Sequence, residues 1–179
     1  MRFSDIPILI LLLAGTALGQ SREDIAEYAA SYFGDDVRVH PVEITLSSVD
    51  AALLSKRSGA RHAWNKVDVW KAEKGGKTAG VLMVDNVKGK ARPITYLVAF
   101  DTAGVILAME VLAYRESHGG EVRSPLFLEQ FAEKSHRDAL TVGKDIRNIS
   151  GATISSRALA RGARALAIYV QYLQEGQRL

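Results

Sequence analysis

From His62 to Arg115 the chain keeps a period of two and breaks it only at turn residues, a pattern that specifies an antiparallel meander. A strand is expected near Ala63–Ala72, followed by Gly75-Gly76 as a tight turn and a second strand near Thr78–Asn86. A basic turn leads into a third strand near Pro93–Phe100. Asp101-Thr102-Ala103-Gly104 makes the next turn, and Val105 to Tyr114 supplies a fourth strand rich in Val, Ile and Leu.

Helical spacing brackets this sheet on both sides. Ser21 and Asp24, followed by Ile25, Tyr28, Ala29, Tyr32 and Phe33, read as a capped helix ending at Gly34. Val37 to Leu46 reads as a strand despite Pro41. A short helix then starts at Ser48 and stops at Ser58-Gly59, and the polar stretch Ser55 to Arg61 reads as a linker. After the meander, Ser124 to Phe131 reads as a helix with Pro125 near its first position, and Val142 to Ile146 as a short strand. A long helix follows Thr153, with Leu159, Ala163, Leu166, Val170 and Leu173 on the stripe that packs against a sheet. The expected class is α+β: an antiparallel meander packed against helices, with a long C-terminal helix.

At 179 residues and 47% hydrophobic, the chain can bury one core of ordinary size. Met1-Arg2, an apolar run from Ile6 to Leu18, and small Ala17 and Gly19 before Gln20 form a signal-peptide pattern. The run is about 13 residues, short of the roughly 20 needed to span a bilayer, and reads as a leader or an uncleaved anchor. The expected organisation is therefore a leader over 1–19, a helix-and-strand extension over 20–61, and the main domain over 62–179. Zero cysteines exclude a disulfide framework and a thiolate metal site in an exported chain. A formal charge of +3, with acids and bases interspersed, does not describe a nucleic-acid surface.

The chemical candidates narrow quickly. His40, His62, His118 and His136 lie far apart, with no pair at the one-turn spacing that puts two imidazoles on one metal, so no metal site is expected. His118-Gly119-Gly120 has the look of an esterase oxyanion loop, but the chain has no G-x-S-x-G nucleophile elbow and no catalytic residue is assigned. Trp64, Trp70, Tyr96 and Tyr114 fall on expected strands, where aromatics pack in the core or across strands. Arg157, Arg161 and Arg164 fall opposite the apolar stripe of the last helix, as a solvated face or a patch for an acidic partner.

The segment Ile149-Ser150-Gly151-Ala152-Thr153-Ile154-Ser155-Ser156 places small residues and hydroxyls at the mouth of that helix. Two readings stand side by side. Ser150 can be a plain N-cap with Thr153 opening the helix. Alternatively the free N–H groups and the dipole hold a phosphate, or present a hydroxyl for phosphoester attachment.

Ser150-Gly151-Ala152-Thr153 resembles the S/T-G-A-T flavinylation motif of the FMN-binding domain family, found in the flavin-carrying subunits of Rnf-type and Nqr-type electron-transport complexes and in related exported flavoproteins. Glu116-Ser117-His118-Gly119-Gly120 is similar to the family's E-T-P-G loop, with His118 in place of the proline. Arg147 stands where the motif commonly has Asp. The resemblance runs from about Ala63 to Tyr172.

It implies an electron carrier more than an independent enzyme: an exported, periplasmic or membrane-associated flavoprotein whose cofactor is FMN. Thr153 is the implied attachment residue. Ser150, Gly151, Ala152, Ile154, Ser155 and Ser156 are the implied phosphate-side residues, and Glu116, Ser117, His118, Gly119 and Gly120 lie by the flavin, with Glu116 a candidate for tuning its potential. The implied partners are a magnesium-dependent flavin transferase that uses FAD for maturation, and a membrane electron-transport complex or cytochrome for redox exchange. The alternative is a noncatalytic exported module that binds FMN or another phosphate-bearing ligand noncovalently, or docks to a partner without electron transfer.

Overall fold

The structure, a computed structural model, describes residues 22–59 and 62–179. The expected leader and the Ser21 cap lie outside the described residues. Five strands form one antiparallel sheet in chain order: β1 (Arg38–Val42), β2 (Asp68–Lys74), β3 (Lys77–Lys88), β4 (Pro93–Asp101) and β5 (Ile106–Tyr114). Among the described residues four helices accompany it: α1 (Arg22–Phe33), α2 (Ser48–Ser58), α3 (Pro125–Leu128) and α4 (Thr153–Glu175).

The meander takes its register from its turns. Lys74 pairs with Lys77 across Gly75 and Gly76, whose φ values of 57° and 74° are the two positive angles of the hairpin turn that matches strand twist. At the next turn Asp101 Oδ1 accepts from the amides of Ala103 and Val105, tying the loop to the end of β4.

Strand alternation then divides the apolar residues between two faces. Val81 and Met83 of β3, with Tyr96, Val98 and Phe100 of β4, join the core under α4. Leu82, Val84, Leu97 and Ala99 face the other way, against Ile25 and Ala29 of α1. Because helices cover both faces, β3 and β4 are buried along almost their whole central length.

Four expectations change. β1 ends at Val42 and not at Leu46, and it tolerates Pro41 because it is the edge strand, where one missing N–H need not break a ladder. The strand expected from Ala63 begins instead with a 3₁₀ turn over Trp64–Lys66, and β2 starts at Asp68. Ser55 to Ser58 are not linker but the last turns of α2, whose capping box at Ser47 and Asp50 and left-handed Gly59 mark both ends. Ser55 Oγ accepts from Trp64 Nε1 at 3.0 Å, so the polar composition that suggested a linker reflects a helix face with internal partners. Residues 60–61 lie outside the described residues.

The strand expected over Val142–Ile146 is a loop closed by one bridge, in which the Asp145 carboxylate accepts from the amides of Leu140 and Thr141, each at 2.8 Å. The helix expected over Ser124–Phe131 forms as α3, with Pro125 in its first turn, and tightens to 3₁₀ over Glu129–Phe131.

Helix α4 carries the longest buried stripe, and Leu159, Ala163, Leu166, Val170 and Leu173 are all buried. At its closest approach to the sheet stands Gly162, where an added Cβ would lie 2.5 Å from the Tyr96 hydroxyl oxygen and 2.6 Å from Val87 Cγ1. That hydroxyl donates to Asp85 Oδ2 at 2.8 Å inside the core, so it has little freedom to retreat. His62 Nε2 lies 3.0 Å from the same carboxylate oxygen, without the alignment of a hydrogen bond.

Gly162→Ala therefore sets a gain of about 1 kcal/mol in helix propensity against overpacking of about 1–3 kcal/mol, and the second wins. The expected result is a lower urea midpoint at an unchanged denaturant slope. A more stable variant would show that α4 does not pack this closely on the sheet.

Candidate functional site at the mouth of α4

The chain enters α4 through a turn closed by the Ala152 amide donating to the Ile149 carbonyl at 3.1 Å. Its third residue, Gly151, has φ 81°, a conformation that a side chain strains. Ala152, not Ser150, is the N-cap, and no side chain among the described residues caps the first turn. The capping reading of Ser150 is therefore set aside: the turn that Gly151 permits carries Ser150 out to an exposed position. The N–H groups at the start of α4 keep the free donors and positive field of an open helix end.

A second segment, the loop after β5, closes over this mouth. Gly119 has φ 86°, and a Cβ there would stand 2.8 Å from the Tyr114 hydroxyl oxygen and 3.4 Å from Ala152 Cα. The Tyr114 hydroxyl donates to the His118 carbonyl and lies 2.9 Å from Ser155 Oγ. With its single proton given to His118, Tyr114 receives the second bond from Ser155. One phenol thus joins β5, the Glu116–Gly119 loop and the first turn of α4.

The third segment is the turn between β3 and β4. Glu116 Oε1 accepts from the amides of Ala91 at 2.7 Å and Arg92 at 2.9 Å. These amides, that of Arg92 foremost, hold the Glu116 carboxyl below its ordinary range. Gly89 makes room for the contact, since a Cβ there would lie 2.6 Å from Glu116 Oε1.

Between the three segments lies a cleft of about 540 Å³. Lys90 and Ala91 line one side, Glu116, Ser117, His118 and Gly119 a second, and Gly151, Ala152, Thr153, Ile154 and Ser155 the third. Thr153 Oγ1 accepts from Asn148 Nδ2 at 2.9 Å. Ile154, 51% exposed, offers an apolar surface at the rim.

Most of the residues expected at a site come together here, and three stand apart from the lining. Ser150 is exposed beside the turn, Gly120 begins the 3₁₀ turn Gly120–Arg123, and the Ser156 hydroxyl is fully buried without a hydrogen-bond partner. Of the three arginines expected on a solvated face, Arg157 and Arg161 are exposed, whereas Arg164 Nη1 donates to the carbonyls of Ala139 at 2.9 Å and Asp138 at 3.4 Å. No group of three or more His, Cys, Asp or Glu among the described residues could hold a metal.

Four contributors escaped the sequence reading. Lys90 and Ala91 were legible only as a basic turn, because their place in the cleft depends on the β3–β4 register. Tyr114 passed as cross-strand packing. Asn148 gave no signal beyond its nearness to the motif.

Residues 89–167 match the family model of the FMN-binding domain. They belong to the FMN-binding domain family. Over 107 residues the chain is 33% identical to one of the proteins that make up the proton-translocating ferredoxin:NAD(+) oxidoreductase complex of Clostridium ljungdahlii, an alignment covering 55% of this chain and 57% of that protein. The chain thus spans little more than half the length of this curated relative. The crystal structure of Shewanella oneidensis NqrC superposes with a TM-score of 0.57 over 84% of this chain and 96% of that one. At 15% identity this likeness is one of fold.

The cofactor of the FMN-binding domain is FMN, and the cleft suits it. Its volume falls within the roughly 300–1,000 Å³ of small-molecule sites, and it joins apolar surface at Ala152 and Ile154 to polar groups. The uncapped first turn of α4 and Lys90 would offer donors and positive charge to a phosphate, while the Glu116 carboxylate is engaged by the turn amides.

Glu116 has a lower pKa folded than unfolded, so its contact stabilises the fold fully above the unfolded carboxylate value and is lost as pH falls through the folded value. The amide shifts of Ala91 and Arg92 should titrate together at a pH below the ordinary glutamate range. Glu116→Ala should abolish that titration, and its persistence would assign the two amides to another acceptor.

Proposed function

We propose that this chain is an exported electron carrier that works through FMN joined to Thr153 by a phosphoester. The observation that carries the reading is the placement of the Ser150-Gly151-Ala152-Thr153 motif at an uncapped helix mouth, with Thr153 lining the same cleft as the Glu116–Gly119 loop. Bound flavin supplies reversible one- and two-electron chemistry. The residues of the chain hold and shield it. The first N–H groups of α4 and the Lys90 ammonium receive the phosphate charge. Tyr114 and Ser155 fix the height of the loop above the helix, and Ile154 covers part of an apolar ring.

Glu116 has a supporting part. With Oε1 occupied by the Ala91 and Arg92 amides, its carboxylate fixes the β3–β4 turn at the cleft and its negative charge is largely offset by those donors. Its influence on potential is then weaker than that of a free carboxylate beside the ring.

Thr153 Oγ1 meets a donor, Asn148, and not a base, so attachment falls to a separate magnesium-dependent flavin transferase drawing on FAD. Exposed Arg157 and Arg161, each one turn further along the face that Thr153 begins, give the surface beside the site a positive character suited to an acidic redox partner. A membrane electron-transport complex or a cytochrome is the partner class. No helix among the described residues is long and apolar enough to cross a membrane, so association would run through the surface of the domain or the N-terminal apolar run.

Maturation tests the reading directly. Chain produced with the transferase should carry one FMN-sized mass on the peptide containing Thr153, with a reversible flavin absorption change on reduction. Thr153→Ala should lose the mass and keep weak binding of added FMN. Unchanged labelling of Thr153→Ala would overturn the attachment residue, and a chain that neither labels nor binds FMN would overturn the carrier.

A further inference from the structure

Asn148 lies between Arg147, where the motif commonly has Asp, and Ser150, at a position to which the resemblance assigns no role. We infer that Asn148 is a positioning residue for flavin attachment, donating from Nδ2 to Thr153 Oγ1 so that the hydroxyl proton is left pointing into the cleft. The inference rests on Thr153 as the attachment site.

The geometry begins with how firmly Asn148 is held. On one side the Arg147 amide donates to Gln130 Oε1 at 2.7 Å, and Ile146 is buried. On the other, Ile149 packs against the main core. Asn148 itself is exposed, yet its backbone lies between two anchored neighbours. Its carboxamide crosses the turn made by Gly151 and meets Thr153 Oγ1 at 2.9 Å.

A threonine hydroxyl has one proton and two lone pairs. The Asn148 N–H takes one lone pair, which fixes the side chain and leaves the proton free for an outside base. In the attachment step Oγ1 forms a bond to the FMN phosphorus of FAD, the pyrophosphate bond to AMP breaks, AMP leaves with that electron pair, and the hydroxyl proton passes to the transferase base and on to solvent. Oxidation states do not change. The esterified oxygen has lost its proton but can still accept, so the same Asn148 contact serves the chain before and after attachment.

The test uses the full chain, an exported magnesium-dependent flavin transferase and FAD, reading AMP release and added mass on the Thr153 peptide. Asn148→Ala should lower kcat for labelling about tenfold, the order expected for one lost orienting contact, with KM for the chain and the melting temperature unchanged. Asn148→Leu, which keeps the volume and removes the donor, should lower kcat by a similar factor at the same melting temperature. Wild-type kcat in both variants overturns the inference and leaves Thr153 standing. A raised KM at unchanged kcat also overturns it, because Asn148 would then serve recognition by the transferase. Wild-type chain that takes no label overturns the Thr153 reading, and this inference with it.

Discussion

The seating of α4 on the sheet fixes where everything else in the site can be. Its buried stripe from Leu159 to Leu173 sets the rotation of the helix, and Gly162 against Tyr96 sets its distance. With rotation and distance fixed, the N-terminus projects beside the end of β5, within reach of Tyr114. A helix raised by even one methyl group would carry Ser155 away from the Tyr114 hydroxyl and widen the space at Gly119, where even a Cβ would stand 3.4 Å from Ala152 Cα. The Asp85–Tyr96 bond lies at the centre of this arrangement: it holds the phenol in the one position that a glycine, and no larger residue, accommodates.

The cleft draws on segments far apart in the chain, and short polar contacts bring them together. Glu116 ties the loop after β5 to the β3–β4 turn, Tyr114 ties that loop to α4, and Asn148 ties the approach to α4 to its first residue. Each contact joins a segment already anchored by a strand or by the core, so little further entropy is lost in making it. Such a frame suits a cofactor that must keep one orientation through many cycles of charge change, since preorganised donors need not rearrange as the charge alternates.

Legibility in the sequence followed the range of the interaction involved. The meander was readable because alternation and turn chemistry are local, and Gly75-Gly76 names its hairpin almost unaided. The stripe of α4 was readable for the same reason. Ser55–Ser58 misled because polar residues on a helix face look like a linker until Trp64 is seen to bond Ser55. Val142–Ile146 was expected as a short strand, whereas Asp145 organises the segment by drawing two amides onto its carboxylate. Tyr114 and Lys90 could not be assigned from sequence at all. Their roles depend on which loop each strand end meets, and composition does not encode that.

The open end of α4 sharpens this distinction between folding and function. A Ser or Asp at the N-cap would satisfy a free N–H and stabilise the helix by about 1 kcal/mol, yet the position is Ala152. Nearby hydroxyls do not substitute for it: Ser155 bonds Tyr114, Ser156 points into the core, and Thr153 accepts from Asn148. Ile154 remains half exposed beside them. Taken only as folding, this first turn is under-satisfied, in a helix whose remaining length is well packed. A phosphate held there, as proposed above, would satisfy the N–H groups and meet the dipole. The missing side-chain cap and the motif therefore fit the same ligand, one through the chemistry of an uncapped helix end and the other through the pattern of residues that forms it.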